Sequence, residues 1–394
     1  MVDTIAAGDP LSAARAAFPG ALASPYLNVA SRGIVAEDSR QAAARIIDEQ
    51  VTGIGTKEGW APLLAAARAG FGRLVGAAPA EVAVTRNVSD GINILANALD
   101  WRPGDNVVLC PALEHPNNVF IWQALARRGV EMRAVAPRDG DIDAAAMAAA
   151  VDRRTRVVTA SSVTFTPGFR TDLAPLAEAS RKAGAFFLVD GVQSVGVLAM
   201  DMPGLGIDGL AVSTSKGLLG VIGLGFLAVR QEWIGRLTPA YVARFSVDLG
   251  DAHESEGAAS TGMTFYPDAR RFETGNYNWV GIAAAEMSLR RLNALGPARI
   301  ESHAVRLAEA LRDGLSARGY AVSRPPRGRA PSHIVTLGAL GAGGAYATAD
   351  QRLNDFAERL KAAGVRFSIR RGQLRFGTHV YNDDGDVAAV LALA

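Results

Sequence analysis

A regular alternation constrains this chain more than any other feature. Between about residues 39 and 230, short apolar runs alternate with stretches of helical apolar spacing. The runs are EVAVT, NVVLC, VEMRAV, RVVTASSV, AFFLVD, GLAVS and LGFLAVR. Apolar residues recur at helical intervals over 39–51, 59–75, 89–99, 117–128, 143–151 and 172–183. Several runs carry almost no polar residue, the pattern of strands covered on both faces. Strands separated by helices of this length make a mostly parallel α/β sheet, here of seven strands.

The chain is long enough, at 394 residues, for a second domain. After about residue 282 the pattern changes. Two helical stretches, 282–295 and 300–318, lead to strand-like SHIVTLG, RFSIR and QLRFGTHV, with helical spacing over 348–363. The expected organisation is a segment 1–25 packed on the small domain, a large domain over 26–281, and a smaller C-terminal α+β domain over 282–394. Residues 246–270, polar and rich in Gly and Ser, read as a long loop of the kind that forms lids.

Several function classes are set aside at this level. Lys and Arg total 41 against 39 Asp and Glu, with no dense basic run, so no nucleic-acid surface is expected. The apolar run around 217–229 is too short to cross a bilayer, so no membrane partner is expected. The N-terminus does not read as a secretory signal. Cys110 is the one cysteine, which excludes a disulfide framework and implies a reducing, cytoplasmic setting. The five histidines show no metal-ligand spacing. No strand is followed by G-x-G-x-x-G, which removes a nicotinamide-dependent dehydrogenase.

Three features fall at the C-terminal ends of expected strands, where open α/β sheets bind ligands. Asp190 ends AFFLVD. A buried acid there requires a cation, either a protonated pyridine-type nitrogen or an arginine, unless it merely caps a helix. Lys216 follows GLAVSTS. The chain has only four lysines, at 57, 182, 216 and 361, so 37 of its basic residues are arginines. Lys57 sits in a polar loop, while Lys182 and Lys361 lie near helix C-termini, where cations are favoured. Lys216 has Gly-rich apolar flanks instead, and desolvation would free its amine for imine formation. Ser89 heads a helix right after a strand, a place suited to phosphate or simply to a cap.

Taken in order, these segments resemble the class V aminotransferase family, which includes cysteine desulfurases, selenocysteine lyases, kynureninase and isopenicillin-N epimerase. The segments are YLNVASRG, NVSDGIN, LEHPNN, DGVQS, Ser213-Thr-Ser-Lys216, RFETGNYN and IRRGQLRFGTHVYN. The resemblance implies the pyridoxal-5′-phosphate (PLP) transferase fold, fold type I. It implies that Lys216 is the Schiff-base lysine and proton shuttle, and that His115 stacks on the cofactor ring. Asp190 would pair with the pyridinium nitrogen and Gln193 with the ring hydroxyl. Val88, Ser89 and Ser213 would hold the phosphate, with Ser215 beside the lysine and Asn276 supplied by a partner subunit of a homodimer. Arg370 would grip the substrate carboxylate, with Arg32 and Asn28 on the substrate side.

The chain also departs from the family pattern. Ser215 stands where the family often has His, Phe165 where it has Asn, and Asn276 where it has Thr. The mobile-loop cysteine of the desulfurases is missing. The expected activity is therefore that of a PLP-dependent transferase or lyase on a small amino acid, an aminotransferase or a C–S/β-elimination lyase. The alternatives are an epimerase of the isopenicillin-N epimerase type and a non-catalytic PLP-binding homologue.

Overall fold

The computed structural model describes residues 10–250, 262–344 and 346–394. Seven strands form one sheet: β1 (Val82–Thr85), β2 (Asn106–Leu109), β3 (Glu131–Ala134), β4 (Thr155–Ser161), β5 (Phe186–Asp190), β6 (Gly209–Ser213) and β7 (Gly225–Val229). Their order is β1-β7-β6-β5-β4-β2-β3. Neighbours from β3 to β6 are parallel, and β7 runs antiparallel to both β6 and β1. This is the mostly parallel seven-stranded sheet expected from the alternation.

The pleat explains why the strands read as unbroken apolar runs. In β5, Phe187 and Val189 join one core cluster while Phe186 and Leu188 join another across the sheet. The first cluster contains Phe71 stacked on Phe226 at 4.7 Å; the second contains Phe186 edge-on to Trp233 at 5.0 Å. Each such ring, taken from water, contributes about 1.5–3 kcal/mol. With apolar packing on both faces, polar side chains collect at the strand ends, and there the site forms.

The Trp279–Leu295 helix packs on the Glu37–Thr52 and Lys57–Val75 helices, with Leu289 against Gly70. Beyond it, β8 (Ile334–Leu337), β9 (Ser368–Arg370) and β10 (Gln373–Gly377) form an antiparallel sheet in the order β8-β10-β9. The N-terminal stretch joins this sheet through bridges Tyr26 to Arg366 and Asn28 to Gly377. Arg15 adds ion pairs to Asp383 and Asp386.

Local differences from the sequence reading have physical causes. The 117–128 stretch is a short α-helix (Phe120–Ala124) between two 3-10 turns, where Pro116 and bulky residues break the regular ladder. Lys57 begins a helix, capped by Thr56, instead of lying in a loop. A final helix, Asp384–Ala392, was not expected; Asp383 caps it by accepting from the Asp386 amide. Of the loop at 246–270, residues 251–261 lie outside the described residues; its ends pair through Val247 and Phe265.

Candidate active site

The parallel strands bring Ser161, Asp190 and Ser213 to one edge of the sheet. Lys216 follows β6 in the turn to β7. It is half-buried, and its Nζ has no hydrogen-bond partner among the described residues. Burial pushes the amine down to about 8, against the pull of Asp190, and the charges of Arg375 and Arg370 add to the lowering. The other lysines differ. Lys182 and Lys361 are exposed and paired to Glu178 and Glu358, and Lys57 is exposed.

The backbone around Lys216 is held on several sides. Gly33 donates to the Ser215 carbonyl at 2.8 Å, Leu219 to that of Lys216 at 2.9 Å, and Gly220 to that of Thr214 at 2.8 Å. Ser288 Oγ donates to the Leu218 carbonyl at 2.6 Å. A Cβ on Gly33 would fall 2.3 Å from the Lys216 carbonyl oxygen, so the N-terminal stretch passes over the lysine only because residue 33 lacks a side chain.

Asp190 is 3% exposed, and one carboxylate oxygen accepts from the Val192 amide at 2.9 Å. Burial raises its carboxyl while that bond and the Lys216 charge pull it down. Gln193 donates through Nε2 to the Ala30 carbonyl at 2.9 Å, and its buried Oε1 has no partner among the described residues. Asn28 Oδ1 is another buried acceptor without a donor among the described residues.

Glu114 and His115 lie beyond β2. Glu114 is buried. Its oxygens accept from the Ser161 amide at 2.6 Å, Ser161 Oγ at 2.5 Å and Asn118 Nδ2 at 2.9 Å. Burial lifts its carboxyl to about 7, against these bonds. The network fixes the backbone just before His115. His115 Nδ1 accepts from the Asn117 amide at 3.2 Å, and its ring meets Phe165 edge-on at 5.5 Å. Burial, then the charges of Lys216, Arg375 and Arg370, hold this imidazole down to about 4, so it is neutral at ordinary pH.

Arg370 ends β9, with its guanidinium against Ser31 Oγ and 5.0 Å from the Tyr346 ring. It lines a hollow of about 330 Å³ with Asn28, Ser31 and Ser368. The residue that sequence reasoning missed is Arg375 on β10. It is 2% exposed, donating to Ser368 Oγ at 3.1 Å and to the Phe165 carbonyl at 2.6 Å. Burial lowers its guanidinium to about 9, and it has no carboxylate partner among the described residues. The one signal in the sequence was an arginine inside an otherwise uncharged strand, QLRFG. Arg32 is exposed; its carbonyl accepts from Tyr26 OH and its amide donates to the Asn28 carbonyl at 2.9 Å, while its guanidinium has no hydrogen-bond partner among the described residues.

The start of the Val88–Ala98 helix corrects one expectation. Asn87, not Ser89, is the cap, accepting from the Asp90 amide at 3.0 Å. Ser89 is the second helical residue, and the Val88 amide donates to Ser213 Oγ at 2.9 Å. Ser215 is partly buried beside Lys216. Asn276 is exposed and lines a separate groove of about 640 Å³ with Arg86, Tyr241 and Gly223. The chain thus draws Lys216, Asp190, His115, Arg370 and Arg375 into one electrostatic neighbourhood, while Asn276 stands outside it.

The family model described as Aminotransferase class-V matches residues 57–345. The chain is 33% identical over 245 residues to a probable cysteine desulfurase of Methanothermobacter thermautotrophicus, covering 62% of this chain and 58% of that protein. It is 28% identical to the uncharacterized aminotransferase YcbU of Bacillus subtilis, covering 80% and 79%. The match to the first curated relatives thus spans little more than half of their length. Among solved structures, an apo cysteine desulfurase of Thermococcus onnurineus superimposes with TM-score 0.83 at 20% identity over 99% of this chain and 98% of its own. A cystine C–S lyase in complex with its product, cysteine persulfide, gives 0.82 at 24% identity over 95% and 98%. With the family model covering most of its length, and the sheet order and the lysine turn in place, the chain belongs to the class V aminotransferase family.

Proposed function

We propose that this chain binds pyridoxal phosphate through Lys216 and catalyses β-elimination, of the C–S lyase type, on a small amino acid. One observation carries the reading: a depressed lysine amine and a buried aspartate lie near enough to feel each other's charge, and among the described residues the lysine has no hydrogen-bond partner and the aspartate no cation bonded to it. The residues fit that cofactor. Gln193 Oε1 is a buried acceptor awaiting a hydroxyl donor. Asp190 suits a protonated ring nitrogen. The Ser89 amide at the helix start, with Ser213 Oγ, suits a phosphate. The chemistry that pyridoxal phosphate supplies when bound is an aldehyde that captures amines and a ring that accepts electron density.

The chain's own groups account for the rest. An amine with pKa near 8 is neutral in an appreciable fraction at pH 7–8, so Lys216 serves as nucleophile and as proton carrier at Cα. Arg375, buried and without a counter-ion among the described residues, is the stronger anchor for the substrate carboxylate, with Arg370 as second contact. His115, its imidazole held down to about 4 and so neutral at pH 7, would stack on the cofactor ring without adding charge. Cys110 is buried and its thiol is raised to about 11, which leaves a sulfur relay through this chain without a nucleophile and favours simple elimination.

The same reading makes 26–281 the cofactor-binding domain and 282–394 the smaller domain, with 1–25 packed on the latter. It makes the protein a homodimer in which exposed Asn276 reaches the partner's phosphate. Among the described residues no helix is long and apolar enough to cross a membrane. A cytoplasmic setting is part of the proposal, supported by the single buried cysteine. The test is to load the protein with PLP and offer L-cysteine, L-cystine, L-serine and L-alanine, with and without a keto acid. The expected result is ammonia and a keto product from a sulfur amino acid without added keto acid. Turnover only with keto acid would make the enzyme an aminotransferase; no visible band with PLP would overturn the cofactor itself.

A further inference from the structure

The carbonyls on either side of Lys216 take their hydrogen bonds from different parts of the chain. That of Ser215 is held by the N-terminal stretch, that of Lys216 by its own turn, and that of Leu218 by Ser288. The Gly217 carbonyl is held by His379, whose Nε2 lies 2.8 Å away. His379 follows β10, so this bond ties the three-stranded sheet region to the lysine turn of the seven-stranded sheet.

The bond has one possible direction. The Val380 amide donates to His379 Nδ1 at 2.6 Å, so the neutral ring carries its proton on Nε2 and donates to Gly217. The ring is fully buried and stacks on Tyr381 at 5.4 Å with 17° between planes. The Gly217 carbonyl is confined from the other side as well: a Cβ on Gly196 would fall 2.2 Å from its oxygen. Burial keeps the imidazole neutral, down to about 4, so the proton arrangement holds across the working pH range.

We propose that His379 is a positioning residue for Lys216. By fixing the peptide that follows the lysine, it sets where the amine points and how deeply it is desolvated. This rests on the reading that the Lys216 amine carries the chemistry. Asn382 is held from the same loop, donating to the Tyr26 carbonyl at 2.9 Å, so the N-terminal stretch over the lysine and the turn beneath it are braced from one place.

The experiment compares His379→Asn with His379→Gln in PLP-loaded protein. Asn retains an acceptor near the Val380 amide but is too short to reach Gly217; Gln reaches Gly217. The readouts are the pH midpoint of the visible PLP band, the rate at which borohydride-trapped adduct forms on Lys216, turnover, and melting temperature. The expected result for His379→Asn is a folded protein whose band midpoint moves by about a pH unit and whose trapping rate and kcat fall about tenfold, a loss of about 1.4 kcal/mol. His379→Gln should restore most of both. Ser288→Ala, one carbonyl further on, should move them less. A wild-type midpoint and rate in folded His379→Asn would overturn the proposal, as would equal losses in both variants. Absence of any band in the unmodified protein would instead overturn the cofactor assignment, and the positioning role with it.

Discussion

The turn from β6 to β7 has two halves that behave differently. Around Lys216 every carbonyl from Thr214 to Leu218 accepts a hydrogen bond from within this chain, and the flanking glycines leave no room for side chains. Around Gly223 the turn opens onto the Asn276 groove, where Tyr241 is 60% and Val242 43% exposed, and the neighbouring Ile222 is 64% exposed. The first half is finished by its own fold. The second presents apolar surface and a polar side chain that face no chemistry of their own. The contrast teaches that the lysine's placement is a single-chain property, while the groove's role depends on what is brought to it.

Removing the amine should have the largest effect. Lys216→Ala is expected to lose turnover by about a thousandfold or more, with the groove unchanged, as read by steady-state kinetics and by the visible band. A variant with full activity would break the contrast at its root. Next comes the anion anchor. Arg375→Ala should raise KM for the amino acid about 10–100-fold, from a charged hydrogen bond of about 1.5–3 kcal/mol, and Arg370→Ala should do less. The reverse order would return the main grip to Arg370.

Acid should separate the halves. His115 and His379 are held down at about 4 from an ordinary 6.5, and burial holds His333 well below it. A depressed pKa means the unfolded chain takes up protons first. The stability these residues give is full above 6.5 and is lost as pH falls toward 4, at about 1.4 kcal/mol per pH unit for each buried histidine. Glu114, raised to about 7, and Asp190, raised by burial, work in the opposite sense, so the net loss is smaller than three histidines alone would give. No histidine lines the groove among the described residues. Hydrogen exchange at pH 5 should therefore show the lysine turn loosening before the groove; equal loosening would count against the contrast. The smallest effect is expected at Asn276→Ala, a few-fold weaker PLP retention, from a bond of about 0.5–1.5 kcal/mol. On the proposed dimeric reading, it should appear only in the assembled dimer.

Much of the sheet and cleft was legible because each signal was local. An unbroken apolar run gives a strand buried on both faces, and the residue ending it gives the site: Asp190 after AFFLVD, Lys216 just beyond GLAVS. Arg375 was not legible because its role arises from β10 passing beside the Phe165 loop, 210 residues away in sequence. The cap at Asn87 was missed since either Asn87 or Ser89 can start a helix; the Asn87 side chain accepting from the Asp90 amide settles it. The Asp384–Ala392 helix escaped notice because its apolar residues run together without amphipathic spacing, and only the Asp383 cap marks its start.

The most direct measurement is borohydride reduction of the PLP-loaded protein followed by peptide mass spectrometry. With only four lysines in the chain, the assignment has few alternatives. The account predicts a single pyridoxyl adduct on the peptide containing Lys216. An adduct on Lys57, Lys182 or Lys361, or none at all, would contradict it.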